Sequence, residues 1–184
     1  MSGNTSATGG PLAPTGAPAS DDALDDVLQA LVVGIVGLPG DLVRPRFQAK
    51  PPRQPEPEID WCAIGVVNTE SDAGPAIVHD PAGGPDGHGQ TNLSRHAEID
   101  VLVSFYGPHS CGNAEILRDG LTIAQNLENV LLKFINSGTI RRVPDQVNAG
   151  WVSRHDMVLK FRQKTERSYQ IMNFVETPFS VTTS

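Results

Sequence analysis

Leu24, Val27, Leu28, Leu31, Val32 and Ile35 recur at three- and four-residue intervals, the repeat that gathers side chains on one side of an α-helix. Ser20 stands where an N-cap belongs, Asp21 and Asp22 put carboxylates near the positive end of the dipole, and Gly37 with Pro39 stops the run. Ile59 to Val67, rich in Ile, Trp and Val, reads as a strand. A clearer period of two follows: Ala97, Ile99, Val101, Val103 and Phe105 alternate with His96, Glu98, Asp100, Leu102 and Ser104. The helical period then returns twice. Asn113 opens a helix carrying Ile116, Leu117 and Leu121, which Gly120 weakens; Asn126 opens a second with Leu127, Val130, Leu131 and Phe134 on one side, ended by Gly138. Beyond a turn at Pro144 and Asp145, Trp151 to Arg162 alternates again, a polar connection covers Gln163 to Ser168, and Tyr169 to Phe179 makes a last strand.

Three stretches lack any such period. Residues 1–19 are almost wholly Ser, Thr, Gly, Ala, Pro and Asn, too poor in apolar area to offset the entropy of ordering, and are expected to form a flexible tail. Residues 38–57 carry six prolines, which remove backbone donors and exclude a helix or a central strand, so an extended arm is expected. Residues 68–93 are dense in Gly, Pro, Asp and Asn and read as a long loop. The remaining order of helix, strand, strand, helix pair, strand, strand predicts an α+β fold: one mostly antiparallel sheet with helices packed on one face, in a single domain over residues 20–184.

A chain of 184 residues with 39% hydrophobic and 19% charged residues holds enough apolar material for one core. No apolar run reaches the roughly 18 residues of a membrane span, and residues 1–20 show neither basic residues nor a continuous apolar stretch, so neither insertion nor export by a signal peptide is expected. Two cysteines are too few for a disulfide scaffold or a four-cysteine zinc site, and reduced thiols are the simpler reading. The net charge of -7 argues against general attraction to a phosphate backbone. It is unevenly spread: residues 1–100 hold five basic against fourteen acidic side chains, and residues 101–184 hold nine against seven. Halves of opposite sign suit subunits that pack against one another or against differently charged neighbours, and suit a solvated surface without a partner equally well.

Candidate chemistry is sparse. Gly9-Gly10 and Gly83-Gly84 lack the Lys-Ser/Thr and the strand-to-helix setting of a phosphate loop, and no serine stands in a nucleophile elbow. Cys62, beside Trp61 on a strand, reads as a core residue; Cys111, two residues after His109 at a helix entrance, is a weak candidate thiol. His96, Glu98 and Asp100 share one strand face, where two could ligate a cation; solvation or a subunit interface explains the same residues better. His79, Asp80, Asp86 and His88 are spaced too irregularly for a metal motif. Arg154, Lys160 and Arg162 form a basic strand face without interleaved aromatics, which suits a polar sheet face or an inter-subunit surface better than nucleic acid. Arg44, Arg46 and Phe47 give the proline-rich arm charge and an aromatic anchor for another surface, and composition fits a surface linker with solvated arginines equally well. No catalytic residue, cofactor or metal is expected, and binding or structural roles rise accordingly.

The segment LPGDLVRPRF (Leu38 to Phe47), the proline ladder after it and the tryptophan-bearing strand resemble phage neck or tail terminator proteins. The likeness continues through Ser104-Phe105-Tyr106-Gly107-Pro108, Leu117-Arg118-Asp119-Gly120-Leu121 leading to Gln125-Asn126, and Trp151-Val152-Ser153-Arg154 with its hairpin to Tyr169. Residues 1–19 and 71–92 depart from it. The resemblance implies a tail-terminator-like fold and a non-enzymatic virion protein. It also implies a homo-oligomeric ring, typically a hexamer, at the head-proximal end of the tail, made in the host cytoplasm and kept in the virion. Its partners would be the tail tube, a sheath where one exists, and neck or connector proteins, with DNA passing through the lumen without sequence-specific binding and no membrane involved. Another connector or adaptor ring is the alternative within the same biology, and a small metal-dependent enzyme using His96, Glu98 and Asp100 is the alternative outside it. Within that picture Arg44, Arg46, Phe47, Arg154, Lys160 and Arg162 are the expected assembly contacts.

Overall fold

The computed structural model describes residues 9–15, 21–83, 89–128, 132–147 and 150–172. Its helices are α1 (Asp21–Val36) and α2 (Ser110–Gly120). Its strands are β1 (Val43–Pro45), β2 (Trp61–Ser71), β3 (Ala76–Asp80), β4 (Gly89–Tyr106), β5 (Leu132–Ser137), β6 (Arg141–Arg142), β7 (Asp145–Val147), β8 (Gly150–Val152) and β9 (Arg154–Ile171). Two compact units divide the chain: Ala19–Asp72 with His96–Lys164, and Met1–Pro18 with Ala73–Arg95 and Thr165–Ser184.

In the larger unit the sheet order is β1-β2-β4-β9-β5, with β6 also on β9. β2 runs antiparallel to β4, β5 antiparallel to β9, and the short β1 parallel to β2. One core holds Leu28, Leu31 and Val32 of α1, Ala114 and Leu117 of α2, Leu121 just beyond it, and the inward residues of the sheet: Cys62, Ile64, Ile99, Val101, Val103, Phe105, Met157, Leu159 and Phe161. Both helices therefore cover one face of the sheet, and the fold is α+β. Each large side chain taken from water there contributes about 1.5–3 kcal/mol before entropy is counted. Burial also pushes the Cys62 thiol far up, so it stays a neutral thiol. A bulge at Val67 keeps the alternation in phase. Val66 opposes Val101 and Asn68 opposes Asp100, so the extra residue returns Asn68 and Glu70 to the polar face, where an unbroken strand would have turned them into the core.

Several expectations are corrected. Residues 68–93 are not a loop: β2 continues to Ser71, β3 pairs antiparallel with β4 from Ala76↔Ser94 to Asp80↔Gln90, and β4 begins at Gly89. The alternation is missing there because β3 is exposed along its whole length and no core selects one set of side chains. The second helix is not formed either. Ala124–Leu127 is a 3-10 turn, and Leu132 and Phe134 lie on β5, where Phe134 faces Phe161 edge-on at 5.6 Å. Asn126 caps backwards: its side-chain amide donates to the Gly120 carbonyl at the end of α2 (2.8 Å). Gly120, which weakens the helix on propensity, suits the packing, because a Cβ there would run into Ile35 Cγ2 of α1. The start of α2 is likewise not set by Asn113. His109 precedes the helix, and its backbone N–H is taken by Asp60, a carboxylate far away in sequence (2.8 Å). No break separates 163–168, since β9 runs to Ile171; residues 173–179 of the expected last strand, and the cap at Ser20, lie outside the described residues. The proline-rich arm contains a 3-10 turn (Gly40–Leu42) and the edge strand β1, whose last residue is Pro45.

The smaller unit is described over residues 9–15, 73–83, 89–95 and 165–172. β3 is bonded to the first half of β4, and Ser168 of β9 donates to Asn92 (2.7 Å). Thr15, within the segment expected to be a tail, donates its backbone N–H and its hydroxyl to the Ser168 carbonyl (2.7 and 3.0 Å). Among the described residues this unit contains no buried hydrophobic side chain.

Candidate functional site

The face of the larger unit's sheet that the helices leave uncovered carries all six side chains singled out as contacts. Arg44 opposes Ala63 in register, and the arm then turns so that the Arg46 backbone N–H donates to the Ile64 carbonyl (2.8 Å). Its guanidinium reaches across β2 to the buried Ser104 hydroxyl of β4 and to the Ala63 carbonyl. Gly65 of β2 makes this crossing possible: a Cβ there would lie 3.1 Å from Arg46 Cβ and 3.5 Å from the Phe47 ring. The arm thus lies over the sheet, and Phe47, 69% exposed, is held on its outside.

Beside the arm, four side chains form a column. Trp61 and Tyr106 face one another in register and stack with centroids 4.1 Å apart and planes at 6°. Arg44 stands over the Trp61 ring (5.7 Å) and Arg154 over the Tyr106 ring (5.4 Å), so a cation covers each end of the aromatic pair. Arg44 also donates to the Asp41 and Arg53 carbonyls (3.0 and 2.8 Å), which ties down the two ends of the arm. Arg154 grips Asp156 with two bonds (2.8 and 2.7 Å) and lies 3.5 Å from Asp145 of β7, which holds its own pKa above the ordinary arginine value.

Further along the same face, the acidic and the basic candidates prove to be each other's partners. Lys160 pairs with Asp100 (3.0 Å); Arg162 pairs with Asp72 (2.7 Å) and lies 3.6 Å from Glu98. Asn68 donates to the second oxygen of Asp100 (3.3 Å). Bonds from Lys160 and Asn68 hold the Asp100 carboxyl below its ordinary value, and the same ion pair raises Lys160. Glu70 and Glu98 oppose one another in register, a repulsive placement that the Lys160 and Arg162 charges offset. Among the described residues no three His, Cys, Asp or Glu side chains gather as a metal-binding group, and the carboxylates of the alternative metal reading are engaged with cations. Cys111 is exposed; His109 reaches Asp60 through Nδ1 (2.7 Å) instead of reaching the thiol. Ser110 is buried and shares bonds with Ser153 (3.1 Å) and His155 (3.0 Å), joining the start of α2 to β9. A shallow open depression beside Leu102, Arg141, Asp156 and Val158 collects no such set of groups. No described helix is long and apolar enough to cross a membrane.

Sequence reasoning missed Trp61, Tyr106, Ser104 and Gly65 as members of this surface. The alternation of β4 places Ser104 on the polar side, and Tyr106 one step further along; which strand lies opposite is a tertiary fact.

The arrangement presents a fixed polar face, an anchored arm and an exposed aromatic side chain. A search of curated proteins finds no match. The model of the phage neck terminator protein family matches residues 22–184, thereby covering α1 from its second residue, α2 and every strand described above, and the chain belongs to that family.

Proposed function

We propose that this protein closes the head-proximal end of a phage tail as a homo-oligomeric ring, six-fold in keeping with the resemblance, that joins the tail tube to the neck or connector proteins while DNA passes through. The observation that carries the reading is the family match over residues 22–184, which makes the chain a phage neck structural protein; the ring, its stoichiometry and the DNA path are the finer steps taken here. The net charge of -7 supports a lumen that repels the DNA backbone and lets it slide. The reading has the chain act by contact and not by catalysis. Phe47 is the outward anchor, Arg44 and Arg46 hold it, and Arg154, Lys160 and Arg162 keep the sheet face beneath it rigid.

The test is to follow the purified full chain by mass photometry across a concentration series and by electron microscopy with isolated tails. A monomer in dilute solution, six-fold rings at high concentration and a single ring at one tail end are expected. A dimer at every concentration with no ring on any tail would overturn the proposal. Phe47→Ala should impair ring formation with an unchanged circular dichroism spectrum.

A further inference from the structure

The described strands of the smaller unit form a sheet without buried hydrophobic residues. Ile77 and Val78, neighbours that point to opposite sides of β3, are 64% and 62% exposed. A strand pair with neither face covered is marginal in water. Among the described residues β3 is bonded on one side only, to β4, and it lacks the devices that blunt an open edge: residues 76–80 hold no lysine, no proline and no bulge. Pro75 and Pro81 bracket it, so the open edge is five residues long.

A second edge, on β5, is six residues long and among the described residues is bonded only to β9; unlike β3 it carries a lysine, Lys133, and a bulge at Ile135, devices that disfavour pairing with a like edge and leave an acidic one as the better match. Set antiparallel, Asp80 of β3 meets Lys133 of β5, and two positions on, Val78 meets Ile135, the bulged residue of β5, which is 42% exposed. Opposite charge therefore faces opposite charge, and exposed β-branched side chains face each other, as cross-strand pairing favours.

We propose that the open edge of β3 receives β5 of a second copy of this chain, so that sheets join edge to edge from one subunit to the next. The two edges differ, so the contact is heterologous, and its repetition either closes a ring or runs on as a filament. The proposal rests on the ring reading for closure alone; the pairing of the two edges stands on the strands themselves.

Disulfide capture tests it on the full chain with Cys111→Ser, the buried Cys62 being left in place. Val78→Cys protein mixed with Ile135→Cys protein under oxidising conditions should give linked pairs, since opposed strand residues have Cα atoms about 4.5–5.5 Å apart, within disulfide reach. Neither variant alone should link, and the double variant should give a ladder that ends at the ring. Asp80→Lys should raise the concentration needed for assembly roughly five- to tenfold, and adding Lys133→Glu should restore it. Rings without the mixed link overturn the edge pairing and leave the ring reading intact. A mixed ladder that never closes keeps the pairing and removes the ring. Val78→Cys linking to itself alone indicates a two-fold β3 pairing and overturns the proposal, as does a mixed link that persists unchanged in Asp80→Lys at every concentration.

Discussion

The two faces of the larger unit's sheet are built from alternate residues of the same strands, yet different physics holds them. The inner face stacks Ile64, Val103, Phe105, Met157 and Phe161 against both helices, and each position contributes by being out of water. Among the described residues the outer face has only a small apolar cluster, Ala63, Tyr106 and Val152 with Trp61 against it, and otherwise relies on pairings: arginine on ring, lysine on carboxylate, arm on glycine. Burial is non-directional and tolerant of detail; pairing needs particular partners at particular distances. The inner face accordingly decides whether the chain folds, and the outer face decides what the folded chain presents.

The largest separation between the faces should come from truncation. Phe105→Ala, at a fully buried position, should cost about 3–5 kcal/mol in chemical denaturation, whereas Phe47→Ala on the exposed arm should stay within about 0.5 kcal/mol. Comparable losses at both positions would erase the distinction. Gly65→Val should come next, at roughly 1–3 kcal/mol, because the new side chain must displace Arg46 and Phe47; increased protease cleavage within residues 46–57 would show the arm released, and an unchanged digestion pattern would argue against the crossing. A smaller effect is expected for the aromatic column. The double-mutant cycle of Trp61→Ala and Tyr106→Ala should give a coupling of about 0.5–1.5 kcal/mol, and a coupling near zero would mean that the stack is only area. Lys160→Ala should have the smallest effect of all on the denaturation midpoint, and a smaller one again in high salt, the pair being solvent-screened.

pH sharpens the same contrast. On the inner side, burial first and then the Arg142 charge lower the His155 pKa below its ordinary 6.5, so the neutral ring is favoured in the fold. Its contribution is complete above 6.5 and is lost as pH falls from there through the lowered value. On the outer face the lowered Asp100 carboxyl contributes fully above its ordinary 3.8, and that contribution disappears only as pH falls through the lowered value. Unfolding followed from pH 8 to 3 should therefore show a first loss that His155→Gln removes and a later one that Asp100→Asn removes. A single acid step insensitive to His155 would contradict this account of the inner side.

Legibility in the sequence followed the core. α1 and the alternation of β4 from Ala97 to Phe105 were readable because one face of each is buried, and burial writes a period into the residues. β3 was not readable, because among the described residues nothing buries it, and Ile77 with Val78 between two prolines was its only local mark. Leu127 to Phe134 was ambiguous, since a short apolar run fits either period, and only the pairing of β5 with β9 resolved it. The candidate contacts fared alike. That Arg44, Arg46, Arg154, Lys160 and Arg162 stand on polar positions follows from the residue types, but that Lys160 belongs to Asp100 and Arg162 to Asp72 depends on partners 60 and 90 positions away. By itself the sequence determined the core-facing elements, the α+β class and the sparse chemistry, because those follow from hydrophobic period and composition. Strand register, the passage of the arm over Gly65, the approach of the helices at Gly120 and the pairing of each charge were decided by the tertiary structure, because each depends on a distance between residues remote in the chain.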